Sequence, residues 1–254
     1  MRSPLRSVFV TMSYAAVNSL NMYFEAHGEG APLLLLHGGS GTAEYFSEAV
    51  PYFADQFRVI VVELMGHGRT ADDVDRSFHY HDMAEDIVEF MRVLGIESAS
   101  ILGYSDGGIV GLDMAIHHPD LVSKLAVTGA NSRVDGYTAE AQESARTFVA
   151  DEAPVSEAYA RLSPDGADHW PVFLGRLQRM WVVEPSFTAA QLRSIGIPTL
   201  LIVGDADIVT PEHAVEMFRT IPGAQLCVVP NAGHGVLPNE TILTFLREEA
   251  TDEN

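Results

Sequence analysis

Short apolar runs alternate with longer amphipathic stretches along most of the chain, and this alternation constrains the fold more than any other feature. Strands separated by helices can pair in parallel only if each helix crosses back over the sheet, so the pattern predicts an α/β architecture with a mostly parallel, helix-flanked sheet. Residues 33–36 (LLLL), 58–62 (RVIVV) and 100–102 read as three buried strands, and 125–128, 199–203 and 225–229 as three more. An antiparallel hairpin over 12–27, turning at Asn18 and Ser19, brings the expected total to about eight.

Between strands, Met83, Ile87, Phe90, Met91 and Leu94 recur at steps of three and four, predicting a helix over 82–94 closed by Gly95. Residues 109–116 repeat the pattern and stop before Pro119. The rhythm breaks between 131 and 195, where helical fragments are punctuated by Pro154, Pro164, Pro171 and Pro185. Phe148, Tyr159, Leu162, Trp170, Phe173, Leu177, Met180 and Trp181 give this segment enough apolar surface to pack over something. The expected organisation is a core of residues 1–130 and 196–254 with a helical cap inserted at 131–195. Glu248 to Asn254 reads as a fraying helix end and tail.

Fifteen basic against 35 acidic residues leave a net charge of −20, and a field of that sign repels phosphate backbones and anionic lipid. Neither nucleic acid nor a membrane is expected as a partner; a small-molecule substrate is, with the chain a monomer or homodimer. Cys227 stands alone, so no internal disulfide and no cysteine-based zinc site can form. The first twenty residues lack the unbroken apolar stretch of a secretory signal, and no run reaches the length of a membrane span, which points to the cytoplasm.

Gly103-Tyr104-Ser105-Asp106-Gly107 sits between an apolar strand and an amphipathic helix. A serine on a strained strand-to-helix turn needs small flanking residues if its hydroxyl is to project from the sheet, and the helix start then aims N–H groups at the site. A serine is a weak nucleophile until a base takes its proton. Of ten histidines, His234 stands out, in the loop Pro230-Asn231-Ala232-Gly233-His234-Gly235 after the last strand. A carboxylate must fix its tautomer, and Asp207 in Gly204-Asp205-Ala206-Asp207 is the candidate, with Asp205 as rival or as a brace for the loop. Three glycines in His37-Gly38-Gly39-Ser40-Gly41 let that backbone approach a substrate closely. The oxyanion-hole donors are then the N–H groups of Gly39 and Asp106, with His37 bracing the loop. His79 and His81 lack identifiable further ligands, so neither a metal nor another cofactor is expected.

The order Ser105, Asp207, His234, with the glycine-rich turn ahead of them, resembles the α/β-hydrolase family across nearly the whole chain. Gly204-Asp205-Ala206-Asp207 and Gly233-His234 are similar to the family's acid and histidine loops. Gly103 to Gly108 is similar to the nucleophile turns of small esterases, lactonases and aminoacyl-ester hydrolases. The resemblance implies the α/β-hydrolase fold, a serine hydrolase acting on a small or medium ester or lactone, and a cap where the insertion lies. Glu63 to Thr70 stand where the family often shows Asp-x-x-Gly-x-Gly-x-Ser, residues that usually support the nucleophile turn; Glu63, Met65 and Thr70 are variants. The Asp106 side chain is read as bonding nearby backbone or favouring the helix start, with recognition of a cationic substrate group as the alternative. Met65, Phe148, Trp170, Trp181 and Val236 are the expected pocket wall. The same fold also hosts C–C bond hydrolases, perhydrolases and lyases, and a pocket can bind without turnover, so these stand as alternatives. An imidazole base implies that activity falls as acid protonates it.

Overall fold

The computed structural model describes residues 10–248; the first nine residues and most of the expected acidic tail lie outside the described residues. Eight strands form one sheet in the order β1-β2-β4-β3-β5-β6-β7-β8. β1 (Val10–Val17) and β2 (Leu20–His27) form the expected hairpin. Val17 pairs with Leu20 across a two-residue turn in which Asn18 takes φ +50°, a left-handed conformation that asparagine tolerates. β2 runs antiparallel to β4 (Phe57–Val62). From there on, β3 (Ala31–Leu36), β4, β5 (Ala99–Tyr104), β6 (Val122–Thr128), β7 (Thr199–Gly204) and β8 (Gln225–Val229) pair in parallel.

Successive residues of a strand face opposite sides, so a run such as LLLL supplies both layers of the core. Leu34, Leu36, Ile60, Val62, Ile101 and Leu125 pack against α2 (Tyr80–Val93) and α3 (Asp106–His117). Leu33, Leu35, Val59, Val61 and Leu102 pack on the other side against α1 (Val50–Ala54) and α9 (Asn239–Arg247). α3 is buried on nearly every face and begins three residues earlier than its apolar periodicity indicates, directly after Ser105.

Between β6 and β7 the chain makes no strand; it forms α4 (Ala139–Thr147), α5 (Glu157–Leu162), α6 (Trp170–Trp181) and α7 (Ala189–Ser194). Pro171 opens α6 rather than interrupting a helix, because the first turn needs no N–H from that position. α6 buries Trp170, Phe173, Leu174, Leu177 and Met180 along one stripe. Arg176 of α6 is buried against Asp72 and donates to the carbonyls of Asp73 (3.0 Å) and Arg76, which ties the helix to the segment ahead of α2. α8 (Pro211–Thr220) follows β7 and completes the element order. No described helix is long and apolar enough to cross a membrane.

Candidate active site

β5 delivers Ser105 to the start of α3 with φ +52° and ψ −119°. Such a backbone costs about 1–3 kcal/mol in a residue other than glycine and persists only where its surroundings enforce it. Here the Ser105 N–H donates to the Thr128 carbonyl of β6 (2.9 Å), and the Ser105 carbonyl accepts from Ile109 (3.0 Å). A Cβ at Gly103 would lie 2.4 Å from the Gly107 carbonyl oxygen, and one at Gly107 would lie 2.1 Å from that of Leu36. The two glycines are therefore steric necessities of the turn.

The Ser105 hydroxyl lies 3.1 Å from Nε2 of His234, and His234 Nδ1 lies 2.7 Å from Oδ1 of Asp207. Asp207 has a fully buried side chain, and its Oδ1 also accepts from the Val209 N–H (3.0 Å), so the proton between acid and imidazole belongs to Nδ1. Nε2 is left as the acceptor facing the hydroxyl. Asp205 instead accepts from the Ala232 N–H (3.1 Å), bracing the histidine loop. That loop is held twice more: Tyr45 donates its hydroxyl to the Gly235 carbonyl (2.6 Å), and Thr128 Oγ1 donates to that of Val236 (2.6 Å). The Tyr45 ring stacks on Tyr104 with centroids 4.3 Å apart. Nothing in the sequence singled out Tyr45, because its tie to the loop spans 190 residues.

The glycine-rich loop after β3 is braced by two buried histidines. His37 donates from Nδ1 to the Gly38 carbonyl (2.8 Å) and accepts at Nε2 from the Leu64 N–H (3.2 Å). His67 donates from Nδ1 to the Met65 carbonyl (2.8 Å) and accepts at Nε2 from the Ser40 N–H (3.1 Å). Burial pushes the His37 imidazolium down to about 4 and His67 well below the ordinary histidine range, so both stay neutral. Glu63 differs from its expected role beside the nucleophile. Its carboxylate accepts from the Ala43 N–H (3.0 Å) and from both the backbone and the side chain of Arg69, so it secures the turn beyond the glycines. Burial pushes the Glu63 carboxyl up despite these donors.

A cavity of about 210 Å³ opens over Ser105 and His234, lined also by Gly39, Asp106, Tyr104, Tyr137, Ala141, Ala145, Trp181 and Ile208. Among the described residues the N–H groups of Gly39 and Asp106 have no protein acceptor, which leaves both free for a ligand. Of the five expected wall residues only Trp181 lines this cavity. Met65 is buried in the main core, Trp170 packs against Tyr159 and Phe173, Phe148 packs on the core's edge, and Val236 lies against the opposite layer. Bulk alone does not say which side of an element a residue occupies. The missed wall includes the small Ala141 and Ala145, four apart on one face of α4, whose contribution is the space they leave.

The Asp106 carboxylate sits in the first turn of α3, one branch of the expectation, but departs from the other. It bonds side chains instead of backbone, accepting at Oδ1 from the Tyr80 hydroxyl (3.0 Å) and at Oδ2 from the Trp181 indole (2.8 Å). It is buried, and burial pushes its carboxyl up. A Cβ on Gly39 would come within 2.5 Å of both Asp106 Oδ2 and the Trp181 ring, so Gly39, α3 and α6 meet at this point.

A family model described as the alpha/beta hydrolase fold matches residues 31–158, half of the chain. The chain belongs to the α/β-hydrolase family. Its relatives within that family include RutD of Agrobacterium fabrum, named as a candidate carbamate hydrolase. It is 27% identical over an alignment of 255 positions that covers 89% of this chain and 98% of RutD. The serine hydrolase BPHL of Mus musculus is 28% identical over 245 residues, covering 89% of this chain and 81% of its own. Among solved structures, the meta-cleavage product hydrolase CumD of Pseudomonas fluorescens superposes with a TM-score of 0.77 at 20% identity, over 93% of this chain and 97% of that one, a likeness of fold. This α/β-hydrolase is accordingly an enzyme of the hydrolase class.

Proposed function

We propose that this hydrolase cleaves a small or medium carboxylic ester or lactone through an acyl-enzyme on Ser105. The observation that carries the reading is the unbroken hydrogen-bond relay from the Ser105 hydroxyl through His234 to Asp207, opening on one cavity. Ser105 Oγ bonds to the substrate's carbonyl carbon while its proton passes to His234 Nε2. The charge that develops on the carbonyl oxygen is met by the N–H groups of Gly39 and Asp106. As the tetrahedral intermediate collapses, the bond to the leaving oxygen breaks and that oxygen takes the proton from His234. Water then gives a proton to His234 and its oxygen to the acyl carbon, and Ser105 departs as it is reprotonated. Asp207 holds the imidazole tautomer and stabilises the imidazolium throughout.

The segment from α4 to α7 acts as the cap, with α4 and Trp181 covering the nucleophile and limiting the acyl or alkyl group to what a cavity of about 210 Å³ admits. The net charge of −20 supports a freely diffusing small substrate over nucleic acid or an anionic membrane, and the lone Cys227 suits a reducing cytoplasm. RutD supports a second reading, a carbamate substrate, whose carbonyl would meet the same nucleophile and the same donors. A fluorophosphonate probe is expected to label the wild type and not Ser105→Ala; an unlabelled wild type would refute the acyl-transfer reading. p-Nitrophenyl esters of increasing acyl length, run beside a p-nitrophenyl carbamate, then decide between the two substrates. Short esters are expected to turn over fastest, and preference for the carbamate would favour the second.

A further inference from the structure

We propose that His81, Asp113 and His117 form a binding site for a divalent transition-metal ion such as zinc, joining α2 to α3 on the protein surface. Asp113 and His117 are four residues apart and share one face of α3; His81 comes from the first turn of α2, which packs alongside. Their ligand atoms all lie within 4.8 Å of one another. Asp113 Oδ1 lies 2.9 Å from His81 Nδ1, Asp113 Oδ2 lies 3.9 Å from His117 Nε2, and the two imidazole centroids are 4.9 Å apart. All three residues line a polar cavity of about 430 Å³ together with His79, Asp82 and Glu184.

Three features distinguish this arrangement from ordinary ion pairing. Asp113 is only 3% exposed and lines the cavity, while both imidazoles are solvent-accessible. A tetrahedral zinc with bonds of about 2.0–2.2 Å needs its ligands roughly 3.4 Å apart, so rotations of the exposed rings by about an ångström close the site. The donor set of two imidazoles and one carboxylate suits zinc and its neighbours, whereas calcium and magnesium prefer oxygen alone. The open cavity leaves room for water in the remaining position. The sequence shows His79 and His81 without partners because the other ligands come from the neighbouring helix. Asp113 lies eight residues beyond Ser105, about 12 Å along the helix that starts directly after it, so this site is separate from the hydrolytic one.

Tag-free, chelator-treated protein titrated with Zn²⁺ in a calorimeter is expected to bind one equivalent. His81→Ala and His117→Ala are each expected to weaken binding at least about tenfold. His118→Ala, whose imidazole meets Glu85 at 2.6 Å, is expected to leave affinity unchanged. Both altered ligands are surface imidazoles, and circular dichroism checks that the variants remain folded. Zinc at about a hundredfold over its dissociation constant is expected to raise the wild-type melting temperature by roughly 5 °C and to leave the double variant unmoved. Equal binding by wild type and double variant, no binding by the wild type at about 100 μM, or loss through His118→Ala alone would overturn the site.

Discussion

Asp207 Oδ1 serves both the His234 imidazole and the Val209 N–H, while Asp205 serves the Ala232 N–H across the loop. This division separates two aspartates that the sequence could rank only by their distance from the next helix. Asp207→Asn keeps the residue's shape but offers His234 an amide that need not fix the Nδ1–H tautomer, so kcat is expected to fall by about 10⁴ with folding preserved. Asp205→Asn keeps an acceptor for Ala232 and is expected to hold kcat within about threefold. Steady-state kinetics of the two variants checks the assignment, and equal losses would remove the distinction between them.

The Asp106 carboxylate joins α6 to the start of α3, with Trp181 donating from one element and Tyr80 from another. Trp181→Phe removes one donor from a buried charge, which is expected to cost about 1–3 kcal/mol in urea unfolding. Asp106→Asn in the Trp181→Phe background removes the charge itself and is expected to recover part of that loss. A double variant no more stable than Trp181→Phe alone would mean the carboxylate does not carry the contact. The strands, their parallel pairing and the hairpin were legible because a sheet buried on both faces writes itself as short apolar runs. The Ser105 turn was legible because sterics restrict its neighbours. The cavity wall was not: Met65 and Trp170 are as apolar as Trp181, and only tertiary packing decides which of them meets the cavity. Likewise, the ties of Tyr45 and His67 join segments whose contact no local pattern encodes.

Across the whole molecule, the buried neutral histidines make folding stability depend on acid. An unfolded chain binds a proton at histidine near pH 6.5, whereas burial holds His37 at about 4 and His67 well below the ordinary histidine range. Between those limits the unfolded state takes up protons that the folded state refuses, so stability present above about pH 6.5 is lost as the pH falls. From pH 7 to pH 5, His37 alone contributes a loss of about 2 kcal/mol at 1.36 kcal/mol per unit. Asp86, Glu63 and Asp106 act in the opposite sense, because burial raises their carboxyls and protonation relieves it, so the bare pH profile mixes both signs. The contrast with His37→Gln isolates the histidine, since the carboxylates are common to both proteins. Urea unfolding at pH 7 and pH 5 is expected to show the wild type losing about 2 kcal/mol more than His37→Gln over that interval. Equal losses would mean that the His37 imidazole titrates in the folded protein as it does in the open chain, and that the loop carrying Gly39 is not held by a neutral ring.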